Sequence, residues 1–117
     1  MTVKAFIQSP KKVIIYEKAK KLFRQKGYNA TSMRHLAGEV GVEAASLYNH
    51  IKGKEDLLRE ICSFVANAFT DHISSIEKSK WSIATKVEYI IRFHLSMMMD
   101  HFEEMYVSNR DWKHLSE

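Results

Sequence analysis

Two short amphipathic stretches separated by one glycine, Gly41, narrow the possible folds of this chain more sharply than anything else in it. Thr31 is a good helix N-cap, and Met33, Leu36, Ala37 and Val40 follow at the i, i+3, i+4, i+7 spacing of one helix face. Gly41 stands where the chain must turn sharply, because glycine adopts a positive φ without steric penalty. A second short helix is expected from Val42 to His50, with Val42 and Leu47 turned inward and Ala45, Ser46, Tyr48 and Asn49 on other faces. A fully buried helix would not carry that polar set. Two short helices joined by a tight glycine turn make a helix-turn-helix, whose second helix lies in a DNA major groove with its early residues at base edges. The small Ala37 suits the close approach that this geometry demands.

The segment in front is equally well specified. Ile15, Ala19, Leu22 and Phe23 form an apolar stripe, ended by Gly27, with Tyr28 placed to pack back on Phe23. Lys18, Lys20, Lys21, Arg24 and Lys26 make the opposite face cationic, so a three-helix unit is expected over about Lys11 to His50. Charge divides the chain near the same place. Residues 1–60 hold twelve Lys and Arg against six Asp and Glu, a net of +6, whereas residues 61–117 hold six against eight, a net of −2. A basic half suits a phosphate backbone, because each neutralised phosphate releases condensed counterions.

A chain of 117 residues is enough for one domain, or for one small module continuous with an incomplete second one. One proline, four glycines and no low-complexity tract favour an all-α protein with short connections. No apolar run approaches the roughly 20 residues needed to cross a bilayer, and Met1 to Pro10 lacks the apolar core of a signal peptide, so no membrane association is expected and a cytoplasmic location is. The single cysteine, Cys62, allows no intrachain disulfide and reads as an inert packed thiol.

Beyond Gly53, an acceptable N-cap, Lys54 to about Lys78 reads as one helix about 35–40 Å long at 1.5 Å per residue. Leu57, Ile61, Val65, Ala68, His72 and Ile76 mark its inner face, and its length suits a lever between a basic head and a helical body. A further helix is expected from about Ser82 to Met99. Asp100 and Glu103 then resemble a capping box opening a last helix toward Trp112. These helices carry wide apolar faces and few partners, so the chain either self-associates or is the front part of something longer. The expected architecture is an all-α fold: a three-helix helix-turn-helix head, residues 1–53, then a long connecting helix and an incomplete α-helical regulatory bundle, residues 54–117.

Gly27-Tyr28-Asn29-Ala30-Thr31-Ser32-Met33-Arg34, then Ala37, Gly41-Val42, Leu47-Tyr48 and Lys52 with Lys54-Glu55-Asp56-Leu57-Leu58, closely resembles the N-terminal signature of TetR-family transcriptional regulators over about residues 11–60. The resemblance implies a homodimeric repressor whose two heads enter successive major grooves of a palindromic double-stranded operator, released when a small-molecule effector binds the body. In that family the final helices make the dimer, and this sequence ends before them.

Site residues follow position by position. Thr31 and Ser32 are candidates to offer hydroxyls and backbone N–H groups to a phosphate. Ala45, Ser46 and Asn49 are candidates for base-edge contacts, Asn49 because its amide can bond adenine bidentately. Tyr48 matches the family tyrosine that touches the phosphate backbone, or else bonds inside the head as a partly buried tyrosine, and Lys54, at the start of the long helix, is expected to hold another phosphate. Arg34, Lys52 and His50 complete the expected DNA-binding set. Glu43 replaces the usual small hydroxyl cap, Ala44 takes a position often held by lysine, and His50 and Ile51 stand where an aromatic pair is common.

In the second half, Phe64, Phe69, Ile91, His94, Met97, Met98, Phe102, Met105 and Trp112 are candidates to line an apolar pocket for a hydrophobic ligand, or to be simple core. The histidines are not at i, i+4 spacing and no thiolate or carboxylate cluster accompanies them, so neither a metal nor another cofactor is expected. There is no glycine-rich phosphate loop, telling carboxylate pair or nucleophile elbow, so no enzyme is expected. Two alternatives to a sequence-specific regulator are a nonspecific architectural DNA-binding protein, which would not prefer a palindrome, and a helical protein-interaction module, which would not bind duplexes with steep salt dependence.

Overall fold

The computed structural model describes residues 9–116, and among these every regular element is helical. Of the segment Met1 to Pro10, all but Ser9 and Pro10 lies outside the described residues. The first helix, α1, runs over Pro10–Lys26; Ser9 caps it by accepting from the Lys12 N–H at 3.3 Å, and proline fits the first helical position because its missing donor is not needed there. Gly27 ends it at φ 88°, and Tyr28 folds back edge-on against Phe23 with ring centroids 5.3 Å apart, as the apolar stripe predicts.

Helix α2 spans Met33–Val40 and is closed by Gly41 in the left-handed region, φ 85° and ψ 31°, where the N–H groups of Gly41 and Val42 both reach the Ala37 carbonyl. The recognition segment is shorter than its periodicity predicts. Helix α3 covers only Ala44–Leu47, and the chain continues to His50 and Ile51 through tightened turns in which Asn49 donates to Ser46 and His50 to Leu47. Glu43 supplies no side-chain cap to stabilise a longer helix.

Helix α4 occupies Lys54–Lys78, α5 Ile83–Asp100 and α6 Phe102–Asp111, followed by a 3₁₀ turn over Trp112–His114. Ser82 caps α5 as its spacing suggests. The capping box expected of Asp100 and Glu103 does not form: His101 is the N-cap of α6, and its ring instead meets Glu104 at 3.2 Å.

The main core joins Ile15, Leu22, Phe23, Leu36 and Leu47 to Leu57, Leu58 and Ile61 of α4 and Val107 of α6, all nearly or completely inaccessible. Each such side chain stabilises the fold by about 1.5–3 kcal/mol. Polar ties reinforce this continuity. The Arg110 guanidinium, held by Asp111 at 2.8 Å, donates to the Phe23 and Arg24 carbonyls at the C-terminal end of α1. His114 stacks on Tyr28 at 5.5 Å, and the Ser116 hydroxyl and N–H both donate to Glu55, holding that carboxyl below its ordinary value.

One residue of the cationic face of α1 is misassigned by periodicity. Lys20 is buried, 3.1 Å from Glu17 and 3.3 Å from Glu104, because α6 packs over that side of the helix. A smaller cluster of Val65, Met97 and Met105, backed by Phe64, Ala68, Phe69 and Phe93, holds α4, α5 and α6 together. The rest of α5 is bare: Ile83, Val87, Ile91, Leu95 and Met99 are all exposed.

Candidate nucleic-acid interface

Around Gly41 the two short helices are fixed from beneath and open above. Leu36 and Leu47 are fully buried and Ala37 nearly so, which leaves Ala45, Tyr48 and Asn49 exposed and Ser46 and His50 half-buried. Tyr48 keeps 55% of its surface accessible, so its ring and hydroxyl are free to reach a partner outside the fold rather than bonding within the head. At the start of α2, Ser32 and Arg34 are exposed, and Lys52 is exposed at the end of the recognition turn, its backbone N–H donating to Asp56 at 3.0 Å.

Two expectations need correction. Thr31 is not the cap of α2; Ser32 is, accepting from the His35 N–H at 3.0 Å while the His35 ring reaches back to the Ser32 N–H at 3.5 Å. Thr31 is only 1% exposed and donates its hydroxyl inward to the Gly27 carbonyl at 2.8 Å, while its N–H bonds Tyr28. Both of its donors are thus engaged, and the exposed hydroxyl at this helix start is that of Ser32. Lys54 is likewise engaged: its ammonium donates to the Tyr28 carbonyl at 2.7 Å and lies 4.1 Å from the Tyr28 ring centroid. Burial there pushes its pKa down, since desolvation penalises the charge. Its side chain therefore ties α4 to the α1–α2 turn.

His35 is the residue that periodicity missed. It is exposed beside Ser32 and Arg34, and the Ser-x-x-His spacing was its only signal, because a capping box normally carries Glu or Gln at that position.

The expected ligand-pocket residues do not converge. Phe64, Phe69, Met97 and Met105 pack together as core, and His94 leans on Phe69 with rings 5.5 Å apart. Ile91 lies on the bare face of α5, Met98 is exposed, Phe102 takes the Arg24 guanidinium over its ring at 5.0 Å, and Trp112 is 62% exposed on the 3₁₀ turn. Periodicity put these apolar residues on helix faces but could not say which faces meet. Burial pushes the Cys62 thiol up, away from reactivity. Among the described residues no three of His, Cys, Asp and Glu gather as a metal site, and no helix is long and apolar enough to cross a membrane.

A head of this build, with a glycine-turned pair of helices and a wet recognition surface over a dry base, defines a helix-turn-helix DNA-binding protein. Residues 15–61 match the sequence model for "Bacterial regulatory proteins, tetR family", and over that stretch the chain is similar to TetR-family transcriptional regulators. It is 29% identical over 79 residues to the biofilm operon icaADBC HTH-type negative transcriptional regulator IcaR of Staphylococcus epidermidis, covering 68% of this chain and 43% of that one. It is 32% identical over 68 residues to the HTH-type transcriptional regulator YerO of Bacillus subtilis, covering 58% of this chain and 24% of that one. Among solved structures, the TetR family transcriptional regulator PfmR from Thermus thermophilus superposes with a TM-score of 0.77 at 26% identity, covering 93% of this chain and 58% of that one. The chain spans less than half the length of these two curated relatives.

Proposed function

We propose that this chain reads a palindromic operator as a homodimer and represses transcription until a small hydrophobic effector binds its helical body. Residues 1–53 would read the DNA, and residues 54–117 would carry the regulatory part. The observation that carries the reading is the exposure of Ala45, Tyr48 and Asn49 on a segment whose base, Leu47, is completely buried. A module that needed those residues for its own packing would not leave them in water.

Ala45, Ser46 and Asn49 are proposed to meet base edges, and Tyr48, Ser32, Arg34, His50 and Lys52 to meet the phosphate backbone. The negative sign of regulation is supported by the resemblance to IcaR, a negative transcriptional regulator. The basic first half adds a counterion-release contribution to affinity. For effector release, the body must bind its ligand more tightly in the form unfit for DNA than in the fit form.

Selection of bound duplexes from a random pool, followed by a salt titration on the winner, tests this reading. The expected result is a palindrome with half-sites about one helical turn apart and affinity falling steeply with salt. Tight binding with no preferred sequence would favour an architectural role instead. No salt-dependent duplex binding at all would favour a helical interaction module.

A further inference from the structure

A cleft of about 560 Å³ lies where α1 of the head meets α4 and the α5–α6 turn of the body. Its walls carry four carboxylates, Glu17, Asp100, Glu103 and Glu104, against one ammonium, Lys20, and the His101 imidazole, which meets Glu104 at 3.2 Å. Lys20 is already divided between Glu17 at 3.1 Å and Glu104 at 3.3 Å, while Asp100 and Glu103 have no ion pair among the described residues. Asp100 also ends α5, an 18-residue helix with no basic residue in its last turn, so the negative pole of that helix adds to the same field, while the positive pole of α6, beside Glu103 and Glu104, offsets part of it.

Negative charge is only half of the pattern. Phe64 and Phe102 line the cleft beside these carboxylates; aromatic faces attract cations, and the Arg24 guanidinium already lies over one face of Phe102 at 5.0 Å. Tyr16 also lines it, 2% exposed, with a buried hydroxyl that has no hydrogen-bond partner. Such an orphan normally marks a missing partner. No three metal-ligating side chains come together among the described residues, so coordination chemistry does not explain the cluster.

We infer that this cleft binds a small organic cation, an ammonium carried on an apolar body, which bridges head and body. The ammonium sits against Asp100 and Glu103, and the apolar part lies on Phe64 and Phe102. Because Tyr16, Glu17 and Lys20 of α1 line the same cleft, an occupant held on α4 and α6 sits against the head and can bias its orientation, a role that rests on the effector-responsive reading above.

The test is calorimetric titration of the full chain with benzylammonium, benzyl alcohol and benzoate. Benzylammonium is expected to bind at least tenfold more tightly than the other two. The D100N/E103Q double variant should lose at least tenfold in that affinity with an unchanged melting temperature, because neither carboxylate holds a fold contact. F102A should weaken binding in the same direction. Equal binding of benzyl alcohol, no binding of benzylammonium, or an unaltered D100N/E103Q variant would overturn the inference. Duplex binding measured without any cation is read separately, so failure of the cleft and failure of DNA reading are told apart.

Discussion

Asn49 and Tyr48 stand next to each other on the exposed side of the recognition turn, yet the roles proposed for them differ. An amide can pair with one base edge, whereas a phenol touching phosphate reads none. Asn49→Ala is therefore expected to lose about 1–3 kcal/mol on the selected operator through relaxed preference at one position, with little loss on scrambled duplex. Tyr48→Ala should weaken both alike, as fluorescence anisotropy on the two duplexes would report. Equal losses for Asn49→Ala on both would remove it from the base-reading set. Lys54 acts on stability instead, because its ammonium is engaged at Tyr28. Lys54→Ala is expected to lower stability by about 1 kcal/mol, seen in thermal unfolding, and to affect DNA binding only through that loss. Glu60 carries a pH signature. Burial raises its carboxyl above the ordinary 4.5, so ionisation opposes folding as pH rises through that range. Glu60→Gln should therefore unfold at a higher temperature than the parent near neutral pH, with the advantage vanishing below about pH 4.

The elements are coupled by contacts that no helical periodicity announces. Lys20 faces away from the apolar stripe of α1, yet α6 arrives from far along the chain to bury it against Glu104. Removing Glu104 leaves Lys20 with only the exposed Glu17 at 3.1 Å, a loss smaller than the roughly 3–5 kcal/mol of a fully stranded buried charge, whereas replacing both with apolar residues is close to neutral. Glu104→Leu alone should thus destabilise, and Lys20→Met with Glu104→Leu should recover most of the loss in urea unfolding. An additive double variant would show that the pair is not coupled. The Arg110 clamp on the last carbonyls of α1 also joins one helix to another, satisfying groups that a helix end leaves without partners. Gly41, by contrast, acts within its own turn: its φ of 85° is open to glycine and strained for a side chain.

Across the full chain, a shared core and three polar ties make the head continuous with α4 and α6, while α5 turns a row of apolar side chains outward. The 117-residue chain is therefore expected to bind a fluorescent apolar probe such as anilinonaphthalene sulfonate in its folded state. Ile91→Lys with Leu95→Lys should reduce that signal without lowering the melting temperature, since both side chains are exposed. A fall in melting temperature would mean that these residues are packed.

Reading along the chain was enough to place the helices, though not the short span of the recognition helix, and to specify the left-handed turn at Gly41, the inward set Ile15, Ala19, Leu22, Leu36 and Leu47, and the outward set Ala45, Tyr48 and Asn49. These follow from local rules: periodicity, glycine's freedom and side-chain polarity act within a few residues of one another. It took the packed molecule to settle that Thr31 turns inward while Ser32 caps, that Lys54 is engaged at Tyr28, that Lys20 is buried, and that the expected pocket residues split between a small core and bare surface. Each of those outcomes depends on a partner distant in sequence or on a choice between adjacent candidates. Periodicity names the face of a helix, and only packing names what that face meets.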